Sequence, residues 1–317
     1  MKKRLGLVFF LLTAIVAIVS YSLFGSVDAL NNFMNSLFGQ TEEKETLPVS
    51  QVVVPNDGEL CIYFIDVGQG DSVLLTSEEG SILVDTGDID EETTGRIIAY
   101  LHTLNIERLD YLVLTHPDAD HIGGAPEIIS QFEIGNIIMP NYSKTTKIFE
   151  RTMDAIEDAK QKDGTVVHMA KDGDLYTLGE SLEMRLLAPI EDSYEDSNDY
   201  SVAMRVMYGK TAILLTGDAE KKSEQQMLKK YAAVEFQADL MKAGHHGSST
   251  SNSEELLRAV DPDYIVISCG ENNSYGHPHA EFMERAHSMG ITTYRTDHEG
   301  TILFVSDGTT ISKRALD

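Results

Sequence analysis

The segment LTHPDADHIGG, residues 114–124, concentrates side chains that bind metal ions. Within six positions it carries four of them: His116, Asp118, Asp120 and His121. Imidazole and carboxylate groups together suit zinc, manganese or iron, and four on one short loop are enough to serve two ions. Gly123 and Gly124 allow close backbone approach where the next helix begins. The segment therefore predicts a metal centre.

The sequence before this segment predicts its place in a sheet. DYLVLTHP, residues 110–117, contains a short, continuously apolar run typical of a strand buried on both faces. Ligands bind at the carboxyl ends of parallel strands in α/β proteins. We therefore expect the metal loop at the end of such a strand.

The same order of elements occurs twice along the chain. In the first half, SILVDTGD precedes a predicted helix at 91–104 and then the strand at 110–117. In the second half, a hairpin with Gly209-Lys210 at its turn ends in Thr216-Gly217-Asp218. A charged helix at 221–231 and the segment ADLMKAGHHG follow. Alignment of the halves places Thr86-Gly87-Asp88 over residues 216–218, and Asp110 and His116 over Asp239 and His245.

Two similar β-rich halves predict two sheets packed face to face, with helices covering the outer faces. The fold class is α/β, a four-layer αββα sandwich with the site along the shared edge of the sheets.

The N-terminus differs from the rest of the chain. Lys2, Lys3 and Arg4 precede an uncharged, mostly apolar run at 5–24, which is long enough to span a bilayer. The basic residues would stay inside, so the remainder would be exported. We expect a signal anchor or signal peptide at 1–25, a linker at 26–58 and the folded domain at 59–317. The protein would be a single-pass membrane protein with an extracellular domain, or secreted if the segment is cleaved.

Charge and cysteine content limit the function classes. The formal net charge of −26 opposes broad, non-specific nucleic-acid binding, but it does not exclude a nucleic acid held at a metal centre. Cys61 and Cys269 lie in apolar strand-like runs and are predicted to be buried free thiols. Two cysteines without CxxC spacing disfavour a thiolate zinc site.

The motifs resemble those of a known superfamily. HPDADHIGG, preceded by LVDTG and followed by LLTGD and KAGHHGSSTS, resembles the metallo-β-lactamase superfamily. FIDVGQGDSVLL, HHGSS and NSYGHPH are similar, more narrowly, to the hydrolase domain of ComEC-type competence DNA-uptake proteins and their stand-alone relatives. The resemblance extends from Glu59 to the C-terminus and implies a metallo-β-lactamase-like hydrolase domain at 59–317.

The resemblance implies a centre of two divalent ions, zinc or manganese. His116 and Asp118 match ligands of the first ion, Asp120 and His121 match ligands of the second, and Asp218 matches a bridging aspartate. Asp118 replaces the histidine that most of the superfamily carries. An anionic oxygen ligand raises the preference for manganese over zinc.

Three further positions follow from the resemblance. His245 or His246 matches a later histidine ligand, and the internal alignment favours His245. Asp85 matches a carboxylate that orients a ligand histidine. In the hairpin loop DVGQGDS, residues 66–72, we expect Asp66 to support the metal loop together with Gln69 and Asp71. His168 lies outside these motifs and is not expected to bind metal.

The resemblance also suggests catalytic roles. Asp120 would hold and deprotonate the attacking water. His277, in NNSYGHPH, would act as a general acid or phosphate clamp, or else as a structural residue that caps a helix near His279. Lys242 and the Ser248-Ser249 hydroxyls are candidate phosphate donors.

The leading functional prediction is an exported phosphodiesterase or nuclease whose substrate is single-stranded DNA. A phosphodiester of the cell envelope, such as a teichoic-acid substituent, suits an acidic anchored enzyme as well. A surface binding module with structural metals, and lactone or β-lactam hydrolysis, remain as further alternatives.

Overall fold

The computed structural model describes residues 52–316. Fifteen strands form in this range: β1 (Leu60–Phe64), β2 (Val73–Ser77), β3 (Gly80–Val84), β4 (Arg108–Val113), β5 (Glu133–Met139), β6 (Val166–Met169), β7 (Leu175–Leu178), β8 (Leu182–Ala188), β9 (Ala203–Tyr208), β10 (Thr211–Leu215), β11 (Leu240–Lys242), β12 (Tyr264–Ile267), β13 (Thr292–Arg295), β14 (Ile302–Ser306) and β15 (Ile311–Arg314). Eight α-helices form there: α1 (Glu91–Thr103), α2 (Ala119–Ile122), α3 (Ala125–Gln131), α4 (Lys147–Lys162), α5 (Lys221–Lys230), α6 (Glu254–Val260), α7 (Ala280–Ser288) and α8 (Thr296–Glu299).

The strands form two mixed sheets. The first has the order β15-β14-β1-β2-β3-β4-β5-β6, and the second has the order β13-β12-β11-β10-β9-β8-β7. β3 and β4 are parallel, as are β10 and β11, so each sheet brings two strand ends to one edge.

Alternation along β1 shows how the layers arise. Tyr63 faces the helical side of its sheet and shares an apolar cluster with Ile97 and Leu101 of α1. Its neighbour Ile62 faces the second sheet and belongs to the cluster that contains Ile213 of β10. Successive side chains of a strand point to opposite faces, so one strand serves both layers. A third cluster lies under the helices of the second sheet. The predicted αββα sandwich is confirmed.

The internal repeat is visible in matched hydrogen bonds. The Asp110 carboxylate accepts the Ser81 backbone N–H at 3.1 Å, at the start of β3. The Asp239 carboxylate accepts the Ala212 backbone N–H at 2.8 Å, at the start of β10. The two aligned aspartates therefore hold equivalent hairpins in the two halves.

The predicted segments before residue 59 fall only partly within the described residues. The predicted anchor at 1–25 and most of the linker lie outside the described range. Val52 and Val53, within the predicted linker, pack against the helical-side core of the first sheet. Among residues 52–316, no helix combines the length and apolar character needed to cross a membrane. Cys61 and Cys269 are buried and free, as predicted.

Candidate metal centre

The centre lies where the parallel strand pairs of the two sheets end. β4 leads through His116 and Asp118 into α2, and β10 leads to Asp218. After β11, His245 and His246 both adopt left-handed backbone conformations, with φ of 49° and 52°. This uncommon geometry turns the chain sharply at the site.

Ligand atoms from both halves converge. His121 Nε2 lies 3.3 Å from Asp218 Oδ2, and His246 Nε2 lies 3.4 Å from the same oxygen. His246 Nε2 is also 3.4 Å from Asp120 Oδ2. These contacts bring one carboxylate of the second half between histidines of both halves.

Four overlapping sets of three side chains among residues 52–316 are close enough to share an ion, and two of them include residues of the metal loop together with residues of the second half. Ligand atoms of Asp120, His121 and His246 lie within 4.8 Å of one another, as do those of His116, His121 and Asp218. The Nε2 atoms of all three histidines are buried and lack a hydrogen-bond partner. Buried polar atoms without partners are costly unless something else satisfies them. The donor set of imidazole and carboxylate therefore fits a metal ion, and these His and Asp clusters are able to bind one.

The ligand histidines are oriented from behind. His121 Nδ1 contacts Asp85 Oδ2 at 2.8 Å, and Asp85 also accepts the Thr115 hydroxyl at 2.6 Å. His246 Nδ1 lies 2.9 Å from the Ser268 carbonyl oxygen. Such contacts fix the imidazole so that Nε2 faces the cluster. Asp85 thus occupies the position that the resemblance implies.

The electrostatics of the centre favour positive charge. Burial alone would lower the pKa of His121, but Asp218 and Asp85 raise it well above its ordinary value. Burial would raise the pKa of Asp120, yet the nearby His121 and His246 hold it below its usual range. The carboxylates therefore stabilise a cation among the histidines, whether a proton or a divalent ion.

His116 differs from the other two ligand histidines. Burial, followed by the nearby His121, lowers its pKa to about 4. It is therefore neutral near pH 7, which is the state in which an imidazole binds a metal.

The two late histidines lie differently with respect to the ligand cluster. His246 is 1% exposed and belongs to the ligand group, whereas His245 lies at the rim. His245 Nε2 is 3.7 Å from Asp218 Oδ2, and its Nδ1 is 3.3 Å from Glu220 Oε1. The left-handed turn thus places His246 in the ligand cluster and His245 at its rim, whereas the internal alignment favours His245.

Asp118 is directed partly away from the cluster. Its carboxylate forms an ion pair with Lys144, and its Oδ1 lies 3.8 Å from His116 Nε2. None of the ligand groups found among residues 52–316 includes Asp118. Lys144 is a site residue that the motifs did not reveal, because it lies in the loop between β5 and α4, outside every motif.

Lys242 is not a surface phosphate donor. It is 2% exposed and forms an ion pair with the buried Asp71, and its Nζ is 3.9 Å from Asp218 Oδ1. Burial would lower the pKa of Lys242, but Asp71 and Asp218 raise it. Lys242 thus places a permanent positive charge beneath the centre, which corrects the role expected for it.

Asp71 supports the metal loop as expected, but Asp66 does not reach the ligands. The Asp71 backbone N–H donates to the Asp120 carbonyl at 3.1 Å. Asp66 pairs with Arg96 at 3.0 Å and accepts the Gly68 backbone N–H at 3.1 Å, so it shapes the hairpin loop instead. His168 lies on β6 and contacts Asn136, away from the centre.

His277 lines the same rim as His245. It is 7% exposed, its ring centroid is 5.3 Å from that of His245, and its Nδ1 has no hydrogen-bond partner. Burial, followed by His246 and His245, lowers its pKa to about 4. His277 therefore lies next to the ligand cluster and is neutral near pH 7.

The fold and the cluster define a class of protein. Residues 65–271 match the family described as the metallo-beta-lactamase superfamily, and the chain belongs to this superfamily. The match agrees with the resemblance that the motifs carry.

More particular relatives are competence proteins. The chain is 30% identical over 268 residues to ComE operon protein 3 of Bacillus subtilis, an alignment covering 78% of this chain and 33% of that protein. It is 33% identical over 248 residues to Competence protein ComA of Neisseria gonorrhoeae, covering 78% of this chain and 32% of that protein. The chain therefore spans about a third of the length of these relatives.

Solved structures agree on the fold. The metallo-beta-lactamase fold protein YhfI from Bacillus subtilis superposes with a TM-score of 0.52 at 12% identity, covering 78% of this chain and 100% of that one. Such a likeness shows the architecture, while the chemistry has to be argued from the site.

Proposed function

We propose that this protein is a dinuclear metal-dependent phosphodiesterase that cleaves nucleic acid, with single-stranded DNA as its substrate. One observation carries the proposal: ligand atoms of the half-buried Asp120 and of the buried His121 and His246 converge within 4.8 Å, beside Asp218. Bound divalent ions would supply an activated water and stabilise negative charge on the attacked phosphoryl group. The superfamily membership supports hydrolysis, and the competence relatives support DNA as substrate.

The chain's own residues would divide the work. Asp120 is the carboxylate with the most solvent access among the converging groups, at 28% side-chain exposure, so it can orient a water beside the ligand cluster. Asp218 ties the two halves together, and His121 and His246 complete the ligand sets. His277 would contact the substrate at the rim. Zinc and manganese are the two ions that the imidazole and carboxylate donors suit.

The proposal includes a location. The apolar run at 5–24, preceded by basic residues, supports a domain that is held at the outer surface of the membrane or released by cleavage. A single strand arriving from outside would then meet the centre directly.

A second candidate substrate is a phosphodiester of the cell envelope. Carboxylates line a cavity of about 390 Å³ beside the hairpin loop, among them Asp66, Asp88 and Glu92. An acidic surface of this kind suits a substrate that carries cationic substituents better than it suits a polyanion.

The test compares the two substrates on the metal-loaded protein. Single-stranded DNA and a choline-substituted envelope polymer are offered with manganese or zinc, to the wild type and to Asp120→Asn. We expect cleavage of the DNA, lost in the variant by at least about a hundredfold because the ligand carboxylate is removed. Asp158→Asn, at an exposed aspartate of α4 outside both the ligand groups and the acidic cavity, should cleave as the wild type does. Turnover of the polymer alone would select the second candidate, and turnover of neither would refute both.

A further inference from the structure

A row of rings leads from the protein surface to the metal centre. Tyr275 is 63% exposed, and its ring lies nearly parallel to that of His277, at 17° with centroids 5.6 Å apart. The His277 ring lies at 29° to His246, with centroids 5.9 Å apart. An exposed aromatic face is therefore separated from a candidate metal ligand by a single intervening ring.

The loop that presents Tyr275 is braced. The Asn273 side chain accepts the His277 backbone N–H at 2.9 Å and donates to the carbonyl oxygens of Gly270 and His277. The Tyr275 carbonyl oxygen contacts His279 Nε2 at 3.2 Å. The backbone on both sides of Tyr275 is thus held by side-chain hydrogen bonds, which keeps its ring at the rim of the centre.

The Tyr275 ring packs on one side only. Of its two faces, one is next to His277, and most of the side chain is open to solvent. The other large apolar side chains that are exposed to a comparable degree include Val234 and Leu175, which lie away from the ligand cluster. An aromatic ring kept open at a reactive centre is suited to a planar ligand.

We propose that Tyr275 stacks on a nucleobase of the polynucleotide substrate, next to the phosphate that the centre cleaves. This inference rests on the proposed nuclease function and names a specificity residue for it. Stacking of a base on an aromatic side chain contributes about 1–3 kcal/mol and tolerates any base, because every base has a π-face. It would provide affinity for a single strand where the overall acidity of the protein opposes a polyanion.

Stacking on Tyr275 would distinguish single-stranded nucleic acid from other phosphodiesters. A polymer of sugar or polyol phosphates offers the same backbone charge but no planar ring. A base within a duplex is already stacked and is not available. Tyr275 therefore favours single strands over both, and it acts on binding while the ligand cluster acts on cleavage.

The experiment uses the full chain loaded with manganese and two strands of equal length and charge. One is a single-stranded oligodeoxynucleotide. In the other, an abasic tetrahydrofuran unit replaces every nucleoside, so the phosphates remain and the bases are absent. Kd is measured by fluorescence anisotropy in the Asp120→Asn background, and kcat/KM in the active protein. The variants are Tyr275→Ala and Tyr275→Phe, with Val234→Ala as the control for loss of an equally exposed apolar side chain.

We expect Tyr275→Ala to weaken binding of the base-bearing strand by about tenfold and to lower kcat/KM mainly through KM. Tyr275→Phe and Val234→Ala should keep the wild-type values, and the baseless strand should respond to none of the three changes. Equal losses on both strands, or no loss on either, would overturn the role of Tyr275. Failure of the wild type to cleave either strand would instead refute the proposed function, and this outcome is separate because the anisotropy measurement needs no turnover.

Discussion

The pair formed by Asp118 and Lys144 distinguishes this centre from one built on histidines alone. The side chains are 30% and 24% exposed, so the pair lies at the edge of the site rather than beneath it. The ligand histidines contact anionic or neutral groups through Nδ1: His121 contacts the Asp85 carboxylate, and His246 contacts the Ser268 carbonyl oxygen. An ammonium group on a carboxylate beside the ligand cluster competes with a divalent ion for the same negative charge.

Removal of this ammonium should tighten metal binding. Two unit charges 4 Å apart interact by about 4 kcal/mol at an effective dielectric constant of 20, and partial exposure reduces that figure. We expect Lys144→Met to strengthen binding of the weaker of two ions by about tenfold, which corresponds to ~1.4 kcal/mol. Isothermal titration with manganese measures it.

Lys147→Met is the matched control, because it removes the same charge from an exposed residue of the same segment. It should change neither binding step by more than about twofold. Weaker binding in Lys144→Met would mean that the lysine orients Asp118 for the ion instead, and this would contradict the prediction.

At the scale of elements, the pattern of apolar residues predicts most of the strands and helices. The apolar runs, the TGD turns and the charged segment at 221–231 are local signals, so the elements they predict can be identified without knowledge of long-range contacts. Helix α1 ends at Thr103 and α5 at Lys230, each one residue from the predicted end. The hairpin that Gly209-Lys210 closes is also present.

What the pattern could not predict depends on pairings between distant segments. Lysine is usually a surface residue, but Lys242 on β11 is buried because it pairs with Asp71, which lies in the first half of the chain. The choice between His245 and His246 depends on a backbone turn that has no signature in residue types. Lys144 becomes part of the site only because α4 and its preceding loop fold back onto the metal loop.

The hairpin loop at 66–72 depends on Gly70 for its fit against the metal loop. Gly70 has φ of +140°, and a Cβ atom there would lie 2.5 Å from the Asp120 carbonyl oxygen. We expect Gly70→Ala to lower the free energy of unfolding by about 1–3 kcal/mol and to weaken metal binding, because the loop must move away from Asp120. Chemical denaturation and metal titration measure the two effects.

Gly95→Ala provides the comparison. Gly95 lies inside α1 with nothing within 4 Å of a built Cβ, so the same change should stabilise the protein by about 0.5–1 kcal/mol and leave metal binding unchanged. Normal metal binding in Gly70→Ala would show that the loop does not position Asp120.

At the scale of the whole molecule, the centre joins the two halves. His116, Asp120 and His121 follow β4 of the first sheet, whereas Asp218 and His246 follow strands of the second. Next to the ligands, the Val202 backbone N–H donates to the Thr115 carbonyl at 2.9 Å, which also links the halves. The two aligned aspartates have different roles. Asp218 is 3% exposed and lies in the centre, whereas its counterpart Asp88 is exposed and accepts the Ile89 backbone N–H.

Metal binding should therefore stabilise the whole domain and not only its loops. An ion that binds only the folded state at about 100 times its Kd adds about 2.7 kcal/mol, which corresponds to a Tm increase of roughly 5–10 °C for a domain of this size. We expect EDTA to remove this increase in the wild type. In Asp218→Asn the difference in Tm with and without EDTA should shrink to a small fraction of the wild-type value, because the carboxylate shared by both halves has been lost.

Asp88→Asn makes the same chemical change at the counterpart position of the first half and should keep the full difference. Scanning calorimetry with parallel metal analysis measures both quantities. If EDTA strips the ions without lowering Tm, or if Asp88→Asn loses the difference as Asp218→Asn does, the ions do not join the two sheets.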